Sequence, residues 1–133
     1  MESMRPATTW VGIVDDDPSI RRALARALRI HGIVARAFGS AEEYLSRTPD
    51  EEPSCLVLDV RLGGMTGFEL RDHLCANGSP PPIIFAAAMD EIPRPLLERM
   101  TGLHGFVRKP YETGALVALV REYSATREFD SAG

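Results

Sequence analysis

Short apolar runs alternate with amphipathic stretches along this chain, and that rhythm predicts its architecture. Residues 10–14 (Trp10-Val11-Gly12-Ile13-Val14) read as a buried strand. From Ser19 onward, Ile20, Leu24, Ala27, Leu28 and His31 recur at helical spacing, and Gly32 is a natural stop. Residues 33–38 predict a short second strand. Ser40, with Glu43 three positions on, forms a capping box for a helix through Leu45 to about Thr48. An acidic loop from Pro49 to Pro53 leads to a third strand at 55–59. A glycine-rich loop, Gly63-Gly64-Met65-Thr66-Gly67, precedes a helix from Phe68 to Ala76. The run Ser79-Pro80-Pro81-Pro82 then introduces a strand at 83–87. It reads as a loop or as a short partner-binding segment. A short helix is expected over roughly 95–101 and a last strand at 105–108. Leu116, Leu119, Val120 and Tyr123 mark one face of a closing helix. The polar tail 127–133 is expected to fray. Strand and helix alternating in this way predict βαβ units, and hence a parallel sheet covered on both faces.

Composition narrows the class. The chain has 133 residues, enough for one domain with a sizeable core; 44% are hydrophobic and 26% charged, as in soluble globular proteins. A net charge of −4 lacks the basic footprint of nucleic-acid binding. No apolar stretch is long enough to span a bilayer, and residues 1–6 lack the apolar core of a signal peptide. A cytoplasmic location is expected. Cys55 and Cys75 have neither metal-ligand spacing nor a disulfide framework, and read as reduced, mostly buried thiols.

Four sites fall where strands are expected to end. Asp15-Asp16-Asp17 follows the first strand, Asp59 closes Cys55-Leu56-Val57-Leu58, Ala87-Ala88 follows Ile83-Ile84-Phe85-Ala86, and Lys109-Pro110 follows the last strand. Lys109 is the only lysine in the sequence. Ligands of open α/β sheets bind at the carboxyl ends of the strands. Carboxylates and one ammonium gathered there would suit a metal ion and a phosphoryl group. Each feature alone has a plainer reading. The acidic triplet could mark only a helix N-terminus. Asp59 could be a turn residue and Lys109 a solvated charge. An EF-hand is excluded, because the sixth loop position is not glycine and Arg26 falls where the bidentate glutamate belongs. His31, His73 and His104 share no ligand spacing.

Three segments together carry a resemblance. They are Val14-Asp15-Asp16-Asp17-Pro18-Ser19, the stretch from Leu58 through Asp59-Val60-Arg61 to Leu70, and Phe106-Val107-Arg108-Lys109-Pro110. In this order and spacing they resemble the receiver domain of bacterial two-component response regulators. Ser40-Ala41-Glu42-Glu43-Tyr44-Leu45 and Asp59-Val60-Arg61-Leu62 are most similar to the FixJ-like subgroup of this CheY-like superfamily. The resemblance implies a flavodoxin-like, doubly wound (βα)5 fold with parallel sheet order 2-1-3-4-5. The domain would span 8–126, with flexible termini at 1–7 and 127–133. It implies that Asp59 accepts a phosphoryl group from a sensor histidine kinase, a phosphotransfer protein or a small acyl phosphate. Asp15, Asp16, Asp59 and the backbone carbonyl of Arg61 would hold Mg²⁺ or Mn²⁺. Lys109, preceding a cis peptide to Pro110, would meet the phosphoryl oxygens. Phe106 falls at the family's rotating aromatic, or is a plain core residue. The helix near 95–101, the fifth strand and the closing helix would form a face for a homodimer or an effector, with no direct nucleic-acid or membrane contact. The chain would be a signalling switch and not a turnover enzyme.

The pattern also departs from the family. Receivers carry threonine or serine at the end of the fourth strand, where this chain has Ala87, so the expectation is intact phosphorylation with weakened or rerouted switching. Pro93 and Pro95 predict a late start for the helix near 95–101. Gly63 replaces a common proline and predicts a more mobile loop. Two alternatives remain: a degenerate receiver acting as a binding module, or the N-terminal receiver of a transcriptional regulator. A haloacid-type phosphatase would need an aspartate where Arg61 stands.

Overall fold

The computed structural model describes residues 9–47, 52–78, 80–87, 104–108 and 113–132. Five strands, β1 (Val11–Val14), β2 (Ala35–Phe38), β3 (Cys55–Asp59), β4 (Ile83–Ala87) and β5 (His104–Arg108), pair in parallel in the order β2-β1-β3-β4-β5. This is the sheet order expected from the resemblance. The strands also show which positions are central. Every residue of β1, β3 and β4 is buried, as apolar strands covered on both faces must be. In β2, at the sheet edge, only Ala35 and Phe38 are buried.

Side chains alternate across the sheet, so two cores form. Val14, Phe38, Leu56, Leu58, Ile83 and Phe85 share one cluster with Tyr44 of α2 (Ala41–Leu45) and Leu70 of α3 (Gly67–Ala76). Val11, Ile13, Cys55, Val57, Ile84 and Ala86 share the other. They pack against Leu24 and Leu28 of α1 (Pro18–Ile30) and Leu116, Val117 and Val120 of the closing helix (Thr113–Ala132).

The helix ends follow local chemistry. Helix α1 stops in a Schellman turn: the Ile33 N–H reaches the Leu28 carbonyl and the Gly32 N–H reaches that of Arg29, both at 2.9 Å, with Gly32 at φ +79°. Ser40 caps α2 by accepting the Glu43 N–H. The reciprocal bond of the expected capping box shifts by one residue, because Glu43 accepts the N–H of Gly39 at 2.8 Å. Helix α2 ends at Leu45, short of the expected Thr48. Ser46 halts it by donating its hydroxyl to the Glu43 carbonyl at 2.9 Å. Thr66 and Glu69 form a complete capping box at the start of α3. The closing helix continues to Ala132, past the expected fraying at Arg127, with Gly133 the first helix breaker in that stretch.

Several expectations lie outside the described residues: the helix near 95–101 with its late start, the side chain of Phe106, and Lys109 with its peptide to Pro110.

Candidate functional site

Register and pleat bring two distant aspartates together. Strands β1 and β3 pair Val14 with Leu58, so the next residues, Asp15 and Asp59, stand side by side where the pairing ends. Counting by twos from Val11 and Ile13, and from Cys55 and Val57, puts both on the same side of the sheet. Both are buried, Asp15 at 2% and Asp59 at 4% exposure, whereas Asp16 is exposed. Carboxylate oxygens of Asp15, Asp16 and Asp59 lie within 4.8 Å of one another. A buried carboxylate requires hydrogen bonds or a cation.

The backbone supplies part of that requirement. Asp15 Oδ1 accepts the N–H of Asp17 at 2.9 Å, and Asp59 Oδ1 accepts the N–H of Arg61 at 3.1 Å, which fixes each carboxyl group in orientation. Asp17 does different work. Its Oδ1 accepts the Ser19 N–H at 2.9 Å and caps α1. The acidic triplet therefore divides: the helix-terminus reading holds for Asp17 and the cluster reading for Asp15 and Asp16.

Two further residues hold the site and were not singled out from sequence. Arg21 Nη1 donates to the backbone carbonyl of Asp15 at 2.8 Å. It lies over Gly39, where a Cβ would sit 3.1 Å from that nitrogen. Arg21 thus ties the loop after β1 to the loop after β2. Gly67 opens α3 directly against the end of β3. A Cβ there would stand 2.6 Å from the Asp59 carbonyl oxygen, closer than any real contact. The only sequence sign of this role is a glycine at a helix start.

Three oxygen donors, two of them buried and all of like charge, suit a hard divalent cation such as Mg²⁺ or Mn²⁺. Like charges this close repel one another, and a cation offsets that repulsion.

Ala87 ends β4 with 1% exposure and pairs with Arg108 of β5. Its methyl group belongs to the cluster of Phe85 and Ile83. His31 Nδ1 lies 2.9 Å from the Ala27 carbonyl, a local helix-end contact. Of the two thiols, Cys55 is buried as expected, and burial pushes its pKa up to about 12. Cys75 is exposed, contrary to expectation, because it lies on the solvent side of the last turn of α3.

The sequence profile of the response regulator receiver domain matches residues 11–121. Among curated proteins, nodulation protein W of Bradyrhizobium diazoefficiens is 38% identical over 110 residues, covering 83% of this chain and 48% of that protein. The transcriptional regulatory protein FixJ of Azorhizobium caulinodans is 30% identical over 116 residues, covering 87% of this chain and 55% of that protein. Among solved structures, the response regulator StyR superposes with a TM-score of 0.82 at 32% identity, covering 95% of this chain and 64% of that one. The chain spans about half the length of the curated relatives it matches. It belongs to the response regulator receiver family of two-component signalling, and its FixJ-like character agrees with these relatives.

Proposed function

We propose that Asp59 is the phosphoacceptor of an Mg²⁺- or Mn²⁺-dependent signalling switch. The observation that carries this reading is the convergence of buried Asp59 with Asp15 and Asp16 at the carboxyl end of β3. The receiver comprises residues 8–126 in this reading, and its setting is the cytoplasm.

Asp15, Asp16, Asp59 and the Arg61 carbonyl would hold the cation, whose chemistry is to neutralise the clustered carboxylates and the incoming phosphoryl oxygens. The Arg61 N–H orients the Asp59 carboxylate for attack. A carboxylate oxygen of Asp59 attacks phosphorus, and the new O–P bond forms as the donor's bond to phosphorus breaks. The leaving group is the imidazole of a phosphohistidine or the carboxylate of an acyl phosphate, and it departs with the bonding pair. Phosphoryl transfer of this kind depends mainly on positioning and charge neutralisation. Lys109, by resemblance, pairs with the transferred oxygens. The phosphoryl group stays on the chain until hydrolysis, so the protein acts as a switch and not as a turnover enzyme. Its donors are a histidine kinase or a phosphotransfer protein. Its readers are effectors, or a second copy, at the face of β5 and the closing helix.

Ala87 favours one modification of this scheme. No hydroxyl stands at the end of β4 to bond the phosphoryl oxygen, so phosphorylation persists while its coupling to the output face is weakened or rerouted. The same residue gives some support to the second reading, a phosphorylation-independent binding module.

Amide NMR with Mg²⁺ and beryllofluoride separates the two readings. A phosphoacceptor shows saturable shifts at Asp16, Asp59 and Arg61 that disappear in Asp59→Asn; a binding module shows none. Trp10 is a poor reporter, since it sits at the amino end of β1 beneath the Arg36 guanidinium, at the far end of the strand from Asp15.

A further inference from the structure

Helix α1 is the most basic element described. It carries Arg21, Arg22, Arg26 and Arg29 and no acid, in a chain whose net charge is −4. Arg22, Arg26 and Arg29 are spaced i, i+4, i+7 along one exposed face and form no ion pair with a described residue. Arg22–Arg26 and Arg26–Arg29 are like-charge neighbours that repel one another, while Arg29, in the last turn, is favoured by the helix dipole.

These arginines line a groove between α1 and the edge strand β2, whose other lining residues include Ala25, Ile30 and Ala37. Ile30 is 72% exposed and Val34 44%, and they are the exposed large apolar residues among those described. Ile30 lies at the end of this groove, where α1 passes into β2, and Val34, one position before Ala35, is on the opposite face of the strand by alternation. The strand offers backbone as well. The Val34 and Phe38 carbonyls accept the Val11 and Asp15 N–H groups, so these positions face β1. By alternation the N–H and C=O groups of Ala35 and Ala37 face outward, where no described residue bonds them.

We propose that the α1–β2 groove docks an acidic, apolar-bearing segment of a partner protein, laid as an added strand against β2. Acidic side chains on one face of the added strand meet Arg22, Arg26 and Arg29, apolar side chains on its other face lie beside Val34, and its backbone pairs with Ala35 and Ala37. Charge complementarity selects the acidic partner. The exposed Val34 beside the strand edge favours protein over nucleic acid, because phosphates gain nothing from it. This surface is separate from Asp59, and its occupancy requires neither the cation nor the phosphoryl group.

The test is fluorescence anisotropy with a labelled nonapeptide of alternating glutamate and valine, in magnesium-free buffer. Saturable binding is expected. A loss of at least tenfold is expected in Arg22→Glu/Arg26→Glu/Arg29→Glu and about threefold in Val34→Ser, both checked for wild-type circular dichroism. Arg22→Lys/Arg26→Lys/Arg29→Lys serves as the conservative control and retains most of the affinity. The proposal is overturned by no binding to the wild type, by equal binding to the glutamate triple variant, or by equal binding of a nonapeptide of glutamate and serine. Undiminished binding of a peptide N-methylated at alternate residues would overturn the strand pairing. Displacement by an equal concentration of duplex DNA would assign the groove to nucleic acid instead.

Discussion

Two neighbouring strand ends, Asp59 on β3 and Ala87 on β4, would divide the receiver's task between them under the proposed function. They are separated by one register step, since Asp59 pairs with Ala86, and both are buried. The β3 end is polar and demanding: it needs the Arg61 amide, the neighbouring carboxylates' counter-ion and the close approach of Gly67. The β4 end is apolar and undemanding, and its methyl group is satisfied by packing. Under the proposed function, accepting a phosphoryl group and reporting its arrival are separable, with Asp15, Asp16 and Asp59 serving the first and no side-chain donor at Ala87 for the second.

The strongest way to break the β3 end without touching a carboxylate is Gly67→Ala. A Cβ 2.6 Å from the Asp59 carbonyl must push β3 and α3 apart. Destabilisation of about 1–3 kcal/mol is expected from such overpacking. Chemical denaturation measures it, and the rate of Asp59 phosphorylation should fall with it.

Ala87→Thr sharpens the comparison from the other side. A hydrogen bond to a charged acceptor contributes about 1.5–3 kcal/mol, similar to a whole allosteric coupling of about 1–3 kcal/mol. In this variant, beryllofluoride-induced amide shifts should extend into β5 and the closing helix, with metal affinity unchanged. Identical shift patterns in the two proteins would refute the role given to Ala87.

The acidic triplet offers a smaller contrast. Asp17→Ala removes the α1 cap and should cost about 1 kcal/mol of stability while leaving Mn²⁺ affinity nearly intact. Asp16→Asn should do the reverse, and titration calorimetry paired with thermal melts checks both. The smallest effect concerns pH. The Cys55 thiol is pushed up to about 12 from an ordinary 9.0 by burial. The unfolded chain therefore loses this proton first as pH rises. The neutral thiol's contribution is intact below pH 9.0 and lost progressively toward about 12. Wild type should lose stability more steeply than Cys55→Ala over that interval.

Much of this was legible in the sequence. Apolar runs without alternation announced the central strands, and the polar residues closing them announced the site. Asp15, Asp16 and Asp59 converge because register and pleat are regular, so short-range rules carry over long range. The contacts of Arg21 and Gly67 were not legible, since each depends on how closely separate loops approach. The division of the triplet was also hidden: Asp15 becomes a buried carboxylate and Asp17 a helix cap through backbone geometry alone. The end of α2 at Leu45 turned on one serine hydroxyl. The extent of the closing helix turned on the absence of a breaker before Gly133.

Intact-mass and peptide mass spectrometry after incubation with acetyl phosphate and Mg²⁺ is the most direct test of the phosphoacceptor. The account predicts an adduct of about 80 Da on the peptide containing Asp59, absent in Asp59→Asn and without added metal. An adduct on another residue, or none while Mg²⁺ binds normally, would contradict it.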